Sequence, residues 1–156
     1  MKSKESSQDT GGKRTADDII RMVRSGERLT IAFCYPFDGD EGNRAKAWEL
    51  VSKLNDIFPN LNGFNFSSMV RYRRHNHGKW LLDLNLNTLV TAVKAMGDCD
   101  VIFIAGNWKH SLECFIGCVS GQLNGIPVIE MKDVMGYGQE SIEFREIHLP
   151  GEMPKV

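Results

Sequence analysis

Two apolar runs, "CDVIFIAG" (Cys99 to Gly106) and "GIPVIEM" (Gly125 to Met131), stand on either side of a segment with helical spacing, and this order leaves few folds open. Each run is a near-continuous series of branched and aromatic residues, the pattern of a strand buried on both faces of a parallel sheet. A parallel pair needs a long crossover, which "SLECFIGCVSGQLN" supplies as a helix. The same order occurs earlier. "RLTIAFCY" is another buried run; "NRAKAWELVSKLNDIFP", opening at Asn43, places Ala47, Leu50, Val51, Leu54 and Phe58 at helical spacing before Pro59 stops it; "GFNFSS" reads as a weaker strand. "TADDIIRMVRSG" reads as a short first helix, capped by Thr15 and ended by Gly26. "LLDLNLNTLVTAVKAM" reads as a further helix, with Leu82, Leu86, Leu89, Val90 and Val93 on its apolar face, and "SIEFREIHL" as a closing edge strand. Alternating strands and helices predict an α/β chain: one three-layer domain, flavodoxin-like or Rossmann-like, with a mostly parallel sheet of about five strands and right-handed crossovers. Residues 1–13, almost without apolar side chains, are expected to be a disordered polar tail ahead of a domain over residues 14–156.

Composition narrows the function. With 156 residues, 42% of them apolar, the chain can bury one sizeable core and is short for two domains. Nineteen basic against twenty acidic residues leave a formal charge of −1, so no global positive field favours nucleic acid or an anionic membrane. No apolar stretch approaches the roughly 18 residues of a membrane span and the N-terminus has no signal-like apolar region, so a cytoplasmic protein is expected. Cys34, Cys99, Cys114 and Cys118 form no Cys-x-x-Cys pair and are expected to be buried, reduced thiols. His75 and His77 alone are too few for a zinc site, and neither a metal nor a cofactor is expected.

In such sheets ligands sit outside the carboxyl ends of the strands, near the switch in strand order, which singles out "YPFDGDEGN" and "GNWKHS". Asn107 and Trp108 are placed to floor a pocket, where Trp108 either stacks on a base or shields the core. Ser111 caps the next helix; with the free N–H groups behind it, it offers an anion site or serves its own helix alone. Glu113, in the first turn, is a catalytic carboxylate or a helix-start charge. On a helical wheel Leu112, Phe115, Ile116, Val119 and Leu123 share a face expected to lie on the sheet, leaving Glu113, Gly117, Ser120 and Gly121 on a nearly bare flank. Two helical glycines cost about 1 kcal/mol each relative to alanine, so a close approach by a ligand, a helix or a second subunit is expected there. Asp38, Asp40 and Glu41 read as sugar or cation ligands or as solvated turn acids. Arg71, Arg73 and Arg74 in "RYRRHNHGKW" read as a phosphate clamp on a loop that closes over the site, or as a solvated loop.

Taken in order, "TIAFCYPF" with Pro36, Asn43 before "RAKAW", "CDVIFIAGNW", Ser111 and "NGIPVIEM" resemble the nucleoside 2-deoxyribosyltransferase-like superfamily, including its nucleotide N-glycosidase branch, over roughly residues 29 to 131. The resemblance implies a nucleoside or nucleotide ligand, with Pro36, Phe37, Asn43, Asn107, Trp108, Ser111 and Gly117 around it and Ser111 at the phosphate serine's station. It also implies a homo-oligomer formed through helices beside the site. The reaction implied is cleavage of the N-glycosidic bond by a Glu nucleophile. At that Glu's station, however, stands Gly117, and at the station of the superfamily's Gly stands Glu113. The acidic residue of the preceding helix falls on Ala92. A carboxylate moved one turn, about 5.4 Å, misses the tolerance of covalent chemistry. The expectation is therefore a nucleotide- or nucleoside-binding protein without the standard catalytic Glu. The alternatives are an active transferase or N-glycosidase using Glu113, and a non-catalytic protein-interaction domain.

Overall fold

Thr15 begins the first helix, α1 (Ala16–Ser25): its hydroxyl accepts from the Asp18 amide at 3.1 Å, and the Asp18 carboxylate accepts from the Thr15 amide at 3.2 Å. This reciprocal pair satisfies amides the helix itself leaves free, and Gly26, at φ 85°, ends the helix in the left-handed region. The structure is a computed structural model and describes residues 14–36, 41–65, 71–74, 80–83, 86–132 and 142–154. After α1 come β1 (Leu29–Cys34), α2 (Glu41–Ile57), β2 (Leu61–Asn65), β3 (Arg71–Arg74), β4 (Trp80–Asp83), α3 (Leu86–Gly97), β5 (Val101–Ile104), α4 (Leu112–Asn124), β6 (Val128–Lys132) and β7 (Glu143–Glu146).

Five strands form one sheet in the order β2-β1-β5-β6-β7, parallel throughout except for the edge pair β6 and β7. The chain is thus α/β with a mostly parallel sheet. Because successive side chains alternate across a strand, the sheet feeds two cores. Leu29, Ile31, Phe33, Val101, Phe103, Ile129 and Met131 meet Ile19 and Val23 of α1 and Leu50 and Leu54 of α2 on one face. Ala32, Cys34, Ile102, Ile104 and Val128 meet Ala92 and Met96 of α3 and Cys114 and Cys118 of α4 on the other. The order reverses between β1 and β5, which puts a switch point at their carboxyl ends.

Three expectations need correction. The basic segment is not loop throughout: Arg71–Arg74 form β3, which pairs antiparallel with β4, Arg71 opposite Asp83 and Arg74 opposite Trp80, in a separate two-stranded sheet, and residues 75–79 lie outside the described residues. Leu82 lies in that ribbon, so the helix begins only at Leu86; aromatic and aliphatic residues also suit a strand, and a window of helical spacing does not exclude one. Among the described side chains of α3, from Val90 on, Ala92 and Met96 are buried, while Val90 is exposed.

The third correction concerns α4. Its buried face is Glu113, Cys114, Gly117, Cys118, Ser120 and Gly121; Leu112, Phe115, Ile116 and Val119 are only half-buried, and Leu123 is 79% exposed. The helix is turned so that its small side chains meet the sheet. A Cβ on Gly117 would stand 2.6 Å from Cys34 Sγ, and one on Gly121 2.5 Å from Val128 Cγ2. The cost of two helical glycines is therefore offset by close approach to the chain's own sheet, not to a ligand or a second subunit.

Asp100 joins β1 to β5 before the parallel ladder begins. Its amide donates to Thr30 O at 2.7 Å, and its carboxylate accepts from the Thr30 amide at 2.9 Å and from Arg14 Nη1 at 2.9 Å. Replacing Asp100 by alanine leaves the Thr30 amide without this acceptor and is expected to cost about 1–2 kcal/mol. Urea unfolding should show a lowered midpoint at unchanged slope.

Candidate ligand site at the carboxyl ends of β1 and β5

The last residues of β1 and β5, Cys34 and Ile104, lie side by side, and the Ala105 amide donates to Cys34 O at 3.2 Å, so the two following loops leave the sheet together. Gly106 turns the second loop at φ 76°, and a Cβ there would stand 2.5 Å from Tyr35 Cε1. Only glycine meets both demands, a left-handed backbone and a tyrosine ring lying against it. Pro36 is buried, Asn107 is exposed, and Asn43 is half-buried in the first turn of α2. Phe37, Asp38 and Asp40 lie outside the described residues, as do His75 and His77. Arg71, Arg73 and Arg74 are in the β3 and β4 ribbon.

Trp108 opens a 3-10 turn, Trp108–His110, and is 1% exposed. Its ring belongs to the core beneath α3 and α4, and its Nε1 donates to Glu130 Oε2 at 2.8 Å. Of the two roles open to it, the structure places it in the core one; no face of the ring is offered at the surface.

Ser111 caps α4, as its position suggests, but it is wholly buried. Its Oγ accepts from the Cys114 amide at 3.3 Å and donates to Glu113 Oε2 at 2.6 Å. The group read as an anion contact is thus engaged by the protein, and the anion beside the helix start is the chain's own Glu113, itself wholly buried. Glu113 is more than a solvated helix-start charge. Gly117, one turn on, faces Cys34, whose sulfur lies where a side chain at position 117 would go.

All four cysteines are free and buried. Burial pushes the Cys34 thiol well above its usual value, and the neighbouring Cys118 and Glu113 add to this; Cys114 is raised for the same first reason, with Cys34 next. Cys99 and Cys118 are pushed up to about 12, again chiefly by burial. Nucleophilic thiols have the opposite property, so these are packing groups.

Glu130 and Arg145 were not singled out from the sequence. The signal for Glu130 was present: an acid inside the buried run "GIPVIEM" implies a partnered charge, because carboxylates are almost never buried otherwise. Arg145, on an edge strand, carried no such mark.

A cavity of about 410 Å³ opens at the opposite end of the sheet, lined by Arg14, Gly121, Gly125, Pro127, Glu146 and His148 among others. A smaller one, about 130 Å³, adjoins it beside Asp100. Both lie by the amino end of β6 and the end of α4, away from Ser111. Among the described residues no group of three or more His, Cys, Asp or Glu is placed to hold a metal ion, and no helix is long and apolar enough to cross a membrane. Compared with models of known families, with curated proteins and with solved structures, the chain shows no match.

The contact of Gly117 with Cys34 yields a direct test. Gly117→Ala should lower stability by about 1–3 kcal/mol through overpacking, despite alanine's better helix propensity. Adding Cys34→Ala should recover part of that loss, so a double-mutant cycle by urea unfolding should show a favourable coupling.

Proposed function

We propose that this chain is a nucleotide- or nucleoside-binding protein of the nucleoside deoxyribosyltransferase-like superfamily, with a flavodoxin-like arrangement, that does not run that superfamily's standard reaction. The observation carrying this reading is the pair Gly117 and Cys34. The station of the nucleophile has no carboxylate, and a buried thiol lies against the space one would need. The binding half rests on the switch point, where Tyr35 lies against Gly106, Pro36 and Asn107 follow them in the two loops, and Asn43 lies in the first turn of α2, which begins two residues earlier than its sequence suggests, at Glu41. Because the Ser111 hydroxyl is engaged and Glu113 adds a negative charge beside it, the sugar and base are better suited to this end than a phosphate on Ser111. A phosphate would draw instead on Arg71, Arg73 and Arg74. Four free cysteines fit a reducing, cytoplasmic location.

Two other readings each have an observation in their favour. The Glu113 carboxylate lies on the same buried face as Gly117 and accepts from Ser111, which favours a displaced catalytic group acting on the N-glycosidic bond. The complete burial of Ser111 against protein favours an interaction domain. A panel of nucleosides and deoxynucleoside monophosphates separates the three, read both by thermal shift and by release of free base. Stabilisation without free base is the expected result. Free base that disappears in Glu113→Gln would establish the enzyme, and neither signal would favour the interaction domain.

The same reading includes a homodimer. Its natural surface is the outward face of α4, where Phe115, Val119 and Leu123 form an uncharged stripe. Light scattering after size-exclusion chromatography should give twice the chain mass, and Leu123→Glu should halve it without lowering the melting temperature of the monomer. A monomeric wild type would remove this part of the proposal.

A further inference from the structure

Glu130 is an acid in an otherwise apolar, buried stretch of β6, and both of its carboxylate oxygens are engaged. Oε2 accepts from Trp108 Nε1 at 2.8 Å, and Oε1 accepts from Arg145 Nε at 3.0 Å. Arg145 continues outward: its Nη1 donates to Glu152 Oε1 at 2.8 Å, and Glu152 Oε2 accepts from the His148 amide at 2.7 Å. The His148 amide and then Arg145 hold the Glu152 carboxyl below its ordinary value, and Glu152 in turn raises Arg145. In the other direction, the Trp108 carbonyl accepts from the Ser111 amide at 3.2 Å, and Ser111 holds Glu113. One continuous series of hydrogen bonds thus runs from the C-terminal segment, across the edge strand and β6, to the cap of α4.

A leucine at position 130 would fill similar volume at no charge-burial cost. It would leave the indole N–H without an acceptor and the 3-10 turn held by shape alone, whereas a charged hydrogen bond is directional. We infer that Glu130, steadied by Arg145, is a positioning residue: it orients Trp108 and, through it, the buried Ser111 and Glu113 at the carboxyl end of β5. The inference rests on reading that end of the sheet as the ligand site.

The test uses the full chain carrying Trp48→Phe and Trp80→Phe, so that of its three tryptophans only Trp108 emits. In this background Glu130→Leu should keep the far-ultraviolet circular dichroism. It should move Trp108 emission to longer wavelength, speed exchange of the Cys114 amide and weaken binding of 2′-deoxynucleosides and their monophosphates, the last two by about tenfold or more. Glu130→Gln, whose amide oxygen still accepts from the indole, should restore emission and exchange towards the parent values. Arg145→Gln, at a half-exposed side chain, should move the same readouts in the same direction by less, and it serves where Glu130→Leu does not fold. Arg14→Gln, which breaks an ion pair at the other end of the sheet, should move none of them. Parent-like emission and Cys114 exchange in a folded Glu130→Leu or Arg145→Gln would overturn the positioning role. So would unchanged binding of a probe that the parent binds. If the parent binds none of the probes, the ligand reading fails, while emission and amide exchange still decide whether Glu130 positions the turn.

Discussion

The approach of α4 to the sheet, with Gly117 over Cys34 and Gly121 over Val128, is the constraint from which the rest of the structure follows. With no side chain at either position the helix backbone can settle close, and the face that settles must be the one bearing small residues. Glu113 and Ser120 are carried inside with it, and Phe115, Val119 and Leu123 are carried out. Burial of Glu113 is a consequence of geometry, made tolerable by the Ser111 hydroxyl and by a helix start that favours negative charge.

Two buried carboxylates, Glu113 and Glu130, therefore bracket the turn that leads into α4, and both are held from that turn, Glu113 by Ser111 and Glu130 by Trp108. A carboxylate left without partners in a core would cost several kcal/mol or give up its charge, so both groups bind their donors firmly and the turn is braced at both ends. The thiols nearby contribute in the opposite sense. Raised and buried, they fill volume and add no charge.

Apart from the ribbon of β3 and β4, the element order was legible because it is written locally. The capping box at Thr15 and the apolar runs of β1, β5 and β6 each lie within a few residues of their cause. The cap at Ser111 was legible for the same reason, since an N-cap needs only its own next turn. What misled was hydrophobicity used as a compass. The wheel of α4 ranks faces by apolar content and points Leu123 inward, yet the sheet beneath offers Cys34, Ile102 and Val128 so near that larger groups do not fit. In α3 and the ribbon before it, Leu82 satisfied both a helical and an extended pattern, and strand pairing decided between them.

The amino-acid sequence by itself determined that this chain combines buried strands with crossover helices, where α1 and α4 are capped, and which acids and small residues lie along α4, because these depend on neighbours in the chain. Only the tertiary structure decided which face of α4 meets the sheet, that Ser111 and Glu113 are engaged with each other, and that Trp108 is tied to Glu130 and Arg145. Those outcomes depend on distances between strands far apart in sequence, and no local pattern encodes how closely a helix can approach them.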